Sequence, residues 1–134
     1  LTFNNINRHQ SRIVNTRIAS TKSPWLSLMN VGDVVNVPIS HGEGKFLASP
    51  ELALELAKNG QIATQYVDLS GNVTSNIDFN PNGSIFAIEG ITSPDGRVLG
   101  KMGHSERIAP GIYKNVPGEY DIRMFEAAVK YFKG

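Results

Sequence analysis

A strand–helix–strand pattern over residues 34–68 constrains the fold of this chain more than any other feature of its sequence. Residues 34–39 are apolar enough for a strand that is buried on both faces. A helix over 49–59 is indicated by a Ser-Pro pair at its start and an Asn-Gly pair at its end. A further strand follows at 62–68, so the order is compatible with a crossover between parallel strands.

The other strand signals lie on both sides of this unit. Residues 11–19 alternate in part and are rich in β-branched side chains, which predicts a strand. The turn sequence Ser93-Pro-Asp-Gly96 separates the apolar segments 86–91 and 97–102, and it predicts an antiparallel hairpin. A parallel crossover and an antiparallel hairpin in one sheet make that sheet mixed.

Two helical signals complete the predicted elements. Residues 23–30 predict a short loop or a one-turn helix, in which Pro24 would fit the first turn and Ser23 the N-cap. A C-terminal helix is predicted over about residues 120–132, with a buried apolar stripe of Ile122, Phe125, Ala128, Val129 and Phe132. A mixed sheet with flanking helices follows, in an α/β or an α+β fold, of which we predict α/β, built as a single domain over residues 1–134.

Composition excludes several classes of function. The net charge is only +1 and the charges are interspersed, so we expect no nucleic-acid partner. No apolar stretch approaches the roughly 18 residues that a membrane span needs, and we expect no membrane association. The absence of cysteine excludes disulfides and thiolate metal sites, and we expect a cytoplasmic protein.

His104 and Glu106 form the first candidate site. They stand two residues apart just after the predicted hairpin, and side chains at that spacing in an extended segment project to the same side. A carboxylate that accepts from one imidazole nitrogen leaves the other nitrogen free to act as a base for a nucleophile. The alternative is a polar turn at the end of a strand.

Two further polar clusters precede it. His41 and Glu43 repeat the His-x-Glu spacing in a glycine-rich turn, and two such pairs together could bind Zn or Fe. The simpler interpretation is that the glycines only turn the chain. Residues 8–11 form a polar run before the first strand, which spacing alone explains as a solvated strand entry.

Four segments, in this order and at this spacing, resemble the glutamine amidotransferase domain of the phosphoribosylformylglycinamidine synthase family. They are His41-Gly-Glu-Gly-Lys45, Phe79-Asn-Pro-Asn-Gly-Ser84, Glu89-Gly-Ile-Thr-Ser-Pro-Asp-Gly-Arg97 and Gly103-His-Ser-Glu-Arg107. The resemblance implies a Cys–His–Glu triad in which His104 and Glu106 are catalytic. The family usually has Pro-His-Pro-Glu-Arg at the last segment, so Gly103 and Ser105 replace two prolines.

The resemblance also implies the substrate, the cofactors and the partners. The substrate is glutamine, with contacts assigned to Arg8, His9, Gln10, Ser11, His41 and Glu43. The chain would be the C-terminal part of a flavodoxin-like amidotransferase domain, with the nucleophilic cysteine in the upstream remainder and no metal or cofactor of its own. A synthetase domain outside the chain would use ATP and Mg²⁺ to transfer the released ammonia to formylglycinamide ribonucleotide in purine biosynthesis.

These expectations leave two alternatives open. A standalone binding module could keep the amidotransferase fold without performing chemistry, and the His/Glu metal site remains the third possibility. If the first interpretation holds, the chain alone is inactive because it has no thiol. The missing half of the domain would also leave apolar strand residues exposed, for which Ile13, Val35 and Val37 are the candidates.

Overall fold

The structure, a computed structural model, describes residues 1–4, 8–76, 78–81, 83–107 and 122–133. These residues form five strands, two α-helices and three one-turn 3-10 helices. The strands are β1 (Gln10–Ile18), β2 (Val34–His41), β3 (Ile62–Tyr66), β4 (Ile88–Thr92) and β5 (Leu99–Lys101). The helices are α1 (Pro50–Lys58) and α2 (Met124–Lys133), with 3-10 turns at Pro24–Leu26, Ile85–Ala87 and Ser105–Arg107. The predicted α/β class with flanking helices is confirmed, but the sheet that these residues form is not mixed as predicted, because every neighbouring pair of its strands is antiparallel.

The five strands form one sheet in the order β2-β1-β3-β4-β5, and each neighbouring pair is antiparallel. Because β1 lies between β2 and β3 and is antiparallel to both, those two strands run in the same direction. The segment that contains α1 is therefore a crossover between co-directional strands, as the sequence indicates, but the two strands are not neighbours. β3 occupies the centre of the sheet, which explains why four of its five residues are buried.

The residues predicted to begin the helices and to form the hairpin turn do so in the structure. The Ser49 hydroxyl accepts from the backbone N–H of Leu52 at 3.2 Å and caps α1. The Ser23 hydroxyl accepts in the same way from the Trp25 N–H at 3.2 Å, at the start of the first 3-10 turn. In the hairpin between β4 and β5, Gly96 has φ +77°, a backbone conformation that favours glycine.

Val35 and Val37 lie in the core and are each 2% exposed, while Ile13 is half-buried. The expectation that these strand residues would be uncovered is therefore wrong for the two valines. Val37 packs with Val14, Ile39, Tyr66 and Ala87, and Val35 packs with Ile18, Leu26, Ala63 and Ile122. The side chains of this chain suffice to cover that face of β2.

The apolar stripe predicted for the C-terminal helix is only partly correct. Ile122 and Ala128 are buried, but Phe125, Val129 and Phe132 are more than half exposed. The reason is that α2 begins only at Met124 and turns its small alanines inward, while the two phenylalanine rings flank Trp25 at 6.5 Å and 6.3 Å between ring centroids. Residues 120 and 121 of the predicted helix lie outside the described residues.

The sheet curls so that the segment after β5 reaches β2 at the opposite edge. A Cβ atom added at Gly103 would lie 2.6 Å from both Val37 methyl groups and 2.8 Å from Glu89 Oε1. Gly103 thus fills a gap between two strands, β2 and β4, that are not neighbours. In the described part of the chain, no helix has the length and apolar character required to cross a membrane.

Candidate active site

His104 and Glu106 contact each other directly. His104 immediately precedes the 3-10 turn Ser105–Arg107, and its Nδ1 lies 2.6 Å from Oε1 of Glu106. The predicted contact between the two side chains is therefore confirmed, but Glu106 lies in a 3-10 turn and not in the extended segment from which the contact was predicted. The His104 side chain is 28% exposed and that of Glu106 58%, so the pair can be reached from solvent.

The hydrogen bond with His104 is the main reason that the pKa of Glu106 lies below its ordinary value. A backbone N–H bond and the charges of His104 and Arg107 act in the same direction, while partial burial opposes them. Glu106 is consequently ionised at neutral pH and can accept a hydrogen bond from Nδ1–H of His104. An imidazole that donates from Nδ1 in this way has Nε2 as its other ring nitrogen, the position from which it can act as a base.

The backbone around His104 is fixed on two sides. The His104 N–H donates to the carbonyl of Pro38 on β2 at 2.8 Å. The preceding N–H, that of Gly103, donates to Oε1 of Glu89 at 2.6 Å. Both contacts come from outside the segment that carries the His–Glu pair, so the position of His104 depends on the tertiary fold.

Glu89 and Lys101 are site residues that the sequence analysis did not identify. Glu89 lies on β4 with its side chain fully buried, and Lys101 Nζ approaches its Oε1 at 3.2 Å. Thr64 on the central strand donates its hydroxyl to Oε2 of the same carboxylate. The available signal was one acidic residue inside the apolar run Ile88-Glu-Gly-Ile91 and one lysine at the end of the second hairpin strand, whose register partner is Gly90.

The predicted substrate-binding residues come together at one end of the β1–β2 ladder. Gln10 pairs with His41 and Ser11 with Ser40, so Gln10 and His41 share the core-facing side. His9 lies on the outer side, with Nε2 3.0 Å from the Ser40 hydroxyl. The remaining members of the set, Arg8, Ser11 and Glu43, are exposed.

Asn4 joins this cluster and was also missed by the sequence analysis. It is 3% exposed, and its amide Nδ2 donates to the carbonyls of Arg8 at 3.1 Å and His41 at 3.0 Å. Its Oδ1 accepts from the Gly44 N–H at 2.9 Å. Asn4 thereby connects the segment before β1 to the turn after β2.

The His104–Glu106 pair and the cluster of predicted substrate-binding residues lie beside different positions of β2. Pro38, which binds the His104 N–H, precedes His41 by three residues, which corresponds to about 10 Å along a strand. Among the described residues, no three His, Asp or Glu side chains gather as a metal site requires. The metal alternative therefore gains no support from this part of the chain.

The chain is similar over almost its whole length to glutamine amidotransferase domains. A family model described as the CobB/CobQ-like glutamine amidotransferase domain matches residues 1–132. A phosphoribosylformylglycinamidine synthase subunit PurQ from Methanosarcina barkeri is 35% identical over 131 residues, 98% of this chain and 54% of that protein. The PurQ subunit of Acaryochloris marina is 42% identical over 94 residues, 70% of this chain and 39% of that protein.

The fold has a relative among solved structures. PurLQS from Thermotoga maritima matches with a TM-score of 0.71 at 22% identity, covering 98% of this chain and 52% of that chain. The chain spans about half the length of the M. barkeri relative and of the T. maritima chain. With the family match over residues 1–132, the chain belongs to the family of CobB/CobQ-like glutamine amidotransferase domains.

Proposed function

We propose that this chain supplies the His and the Glu of a Cys–His–Glu triad in a glutaminase of the PurQ type. The observation that carries the proposal is the 2.6 Å contact between His104 Nδ1 and Glu106 Oε1. It is the base-and-orienter arrangement that activates a nucleophile. Since the sequence contains no cysteine, the thiol must come from a segment outside this chain.

The two side chains then have defined tasks. Glu106 accepts the Nδ1 proton and orients the ring, and Nε2 of His104 removes the proton from the thiol. The thiolate attacks the amide carbon of glutamine, and the tetrahedral intermediate expels ammonia, which leaves with the proton held by His104. Water, activated by the same nitrogen, hydrolyses the thioester and releases glutamate.

The wider assignment follows the relatives, which are subunits of phosphoribosylformylglycinamidine synthase. In this proposal, the ammonia passes to a synthetase component outside the chain, which uses ATP and Mg²⁺ to amidinate formylglycinamide ribonucleotide in the cytoplasm. The six residues of the second cluster would contact glutamine. That role is supported for Gln10 and His41, which are paired on the core-facing side at one end of the β1–β2 ladder.

The test uses a protein in which this chain is joined to the segment that supplies the thiol and is combined with the synthetase. His104→Ala should lower glutamine-dependent synthesis by about 100- to 10,000-fold, the usual contribution of a general base. Synthesis from added ammonia should be unchanged, because ammonia bypasses the thiol. An equal loss with both nitrogen sources would instead indicate a binding module or a folding role.

The isolated chain offers a second test. It should release no glutamate from glutamine above the background rate, since it has no thiol to form an acyl-enzyme. Turnover by the pure 134-residue chain would contradict the proposed mechanism.

A further inference from the structure

A fully buried carboxylate lies behind the His104 segment. The side chain of Glu89 is 0% exposed and that of Lys101 only 8%. Burying two charges is unfavourable unless each finds several close partners. An apolar pair of the same volume would often serve folding equally well, so the partners of these two groups indicate what the pair does.

The partners of Glu89 reach from the centre of the sheet to the candidate active site. Its Oε2 accepts from the Thr64 hydroxyl on β3, which anchors the carboxylate. Its Oε1 accepts from the Gly103 N–H at 2.6 Å and lies 3.2 Å from Lys101 Nζ. Glu89 thus binds the residue immediately before His104.

Lys101 binds the residues on both sides of His104. Its ammonium donates to the Gly103 carbonyl at 3.3 Å and to the Ser105 hydroxyl at 3.2 Å. Together, the buried pair makes three hydrogen bonds to the two neighbours of the imidazole. Within the part of the chain that the structure describes, the side-chain partners of the Glu89–Lys101 pair outside its own ion contact are therefore Thr64 and the segment that carries His104.

The sequence of the segment matches this arrangement. Gly103 has the backbone N–H that donates to Glu89, and Ser105 has the hydroxyl that accepts from Lys101. A proline at either position would lack the group that makes the contact.

We infer that Glu89 and Lys101 are positioning residues, which hold the His104 side chain where it can form its hydrogen bond with Glu106. The inference rests on the proposed function, in which His104 is the base. A catalytic group must be held close to its productive geometry, and a displacement of about 1 Å can lower the rate by about 100-fold. Neither residue contacts substrate in this scheme; each acts through the backbone and side chain next to His104.

The test compares Lys101→Met with the double variant Glu89→Gln/Lys101→Met. Both are made in the thiol-containing protein, by which we mean this chain joined to the segment that supplies the thiol and combined with the synthetase. Lys101→Met leaves a buried charge without its counter-ion and can impair folding, whereas the double variant is neutral and close in volume. In both, we expect kcat with glutamine to fall by about 100-fold without a comparable rise in KM. Synthesis from ammonia should be unchanged.

A second measurement reports position without any turnover. The hydrogen bond with His104 lowers the pKa of Glu106, so the titration midpoint of its carboxyl carbon, followed by NMR, reports whether the two side chains remain in contact. In the double variant the midpoint should rise toward that of an ordinary glutamate. A merely structural role for the buried pair would leave the midpoint where it is in the folded wild type.

The matched control is the exposed ion pair of Glu126 and Lys130 on α2, with its atoms 3.8 Å apart. Glu126→Gln/Lys130→Met removes the same two charges and should alter neither the rate nor the Glu106 midpoint. An unchanged Glu106 midpoint in the folded double variant Glu89→Gln/Lys101→Met overturns the inference, whatever its rate. If His104→Ala retains glutamine turnover, the proposed function is wrong. The Glu106 midpoint of the double variant would then still show whether the buried pair positions His104.

Discussion

The backbone N–H of His104 donates to the carbonyl of Pro38, and the two atoms are 2.8 Å apart. His104 follows β5 and Pro38 lies on β2, and these strands are at opposite edges of the sheet. The curl of the sheet is therefore what places the His–Glu pair. A change that alters the approach of the two edges should displace the pair even when it leaves both side chains intact.

Gly103→Ala is the smallest such change. Its Cβ would lie 2.6 Å from both methyl groups of Val37, closer than real contacts allow. We expect a loss of about 1–3 kcal/mol in the free energy of unfolding, typical of overpacking in a core, and a rise in the Glu106 midpoint as His104 moves. Urea denaturation and NMR titration measure the two effects.

Gly100→Ala is its control, because a Cβ at that position of β5 meets no atom within 4 Å. Gly100→Ala should change neither the free energy of unfolding nor the Glu106 midpoint appreciably. Adding Val37→Ala to Gly103→Ala removes the clashing methyl groups but leaves the 2.8 Å approach to Glu89 Oε1, so it should restore the Glu106 midpoint only in part. If Gly103→Ala is as stable as Gly100→Ala, then Val37 of β2 does not lie as close to Gly103 in solution as the structure places it.

Glu106→Gln should reduce glutamine-dependent turnover less than His104→Ala, because the base itself remains. A hydrogen bond to a charged group contributes about 1.5–3 kcal/mol, which corresponds to about 10- to 100-fold in rate. Steady-state kinetics with glutamine and with ammonia would measure it in the thiol-containing protein. Glu126→Gln on α2 removes an equally accessible carboxylate and should have no effect; an equal loss in both variants would contradict the orienting role of Glu106.

The fold was largely predictable where a short segment determines its own structure. The Ser49-Pro50 start of α1 and the turn at 93–96 act through hydrogen bonds and φ angles within a few residues. The contact of His104 with Glu106 is equally local, since only one residue separates them. These features require no knowledge of the rest of the chain.

Features that depend on distant segments were missed or wrong. Phe125 was assigned to the buried stripe of the C-terminal helix, yet it is 52% exposed, and Ala127 faces the core instead. Periodicity gives the apolar face of a helix only approximately, and the tertiary packing selects the residues that are covered. The role of Glu89 likewise depends on Thr64 and Gly103, which lie 25 and 14 residues away in the chain.

Acid should separate His104 from Glu106 only below the ordinary range for a glutamate. Because the pKa of Glu106 is lowered in the folded chain, its contribution to stability is present above the unfolded value of 4.5 and is lost as the pH falls through the lowered value. NMR titration should give a midpoint below 4.5 in the wild type and a higher midpoint in His104→Ala. Equal midpoints in the two proteins would mean that the hydrogen bond does not form in solution.

Asn4→Ala tests whether the cluster beside the end of β2 binds glutamine. The change removes the hydrogen bonds of a buried amide to Arg8, His41 and Gly44, so the two polar segments lose their shared anchor. In the thiol-containing protein we expect the KM for glutamine to rise by about 5- to 30-fold, the equivalent of about 1–2 kcal/mol, while kcat changes little because His104 is held by separate contacts. Asn4→Asp keeps the acceptor for the Gly44 N–H but sets a buried carboxylate against the carbonyls of Arg8 and His41, so its KM should rise at least as much as that of Asn4→Ala. Asn30→Ala, at an exposed turn before β2, is the control. A fall in kcat at constant KM would place Asn4 with the His104 segment and would contradict a substrate-binding role for this cluster.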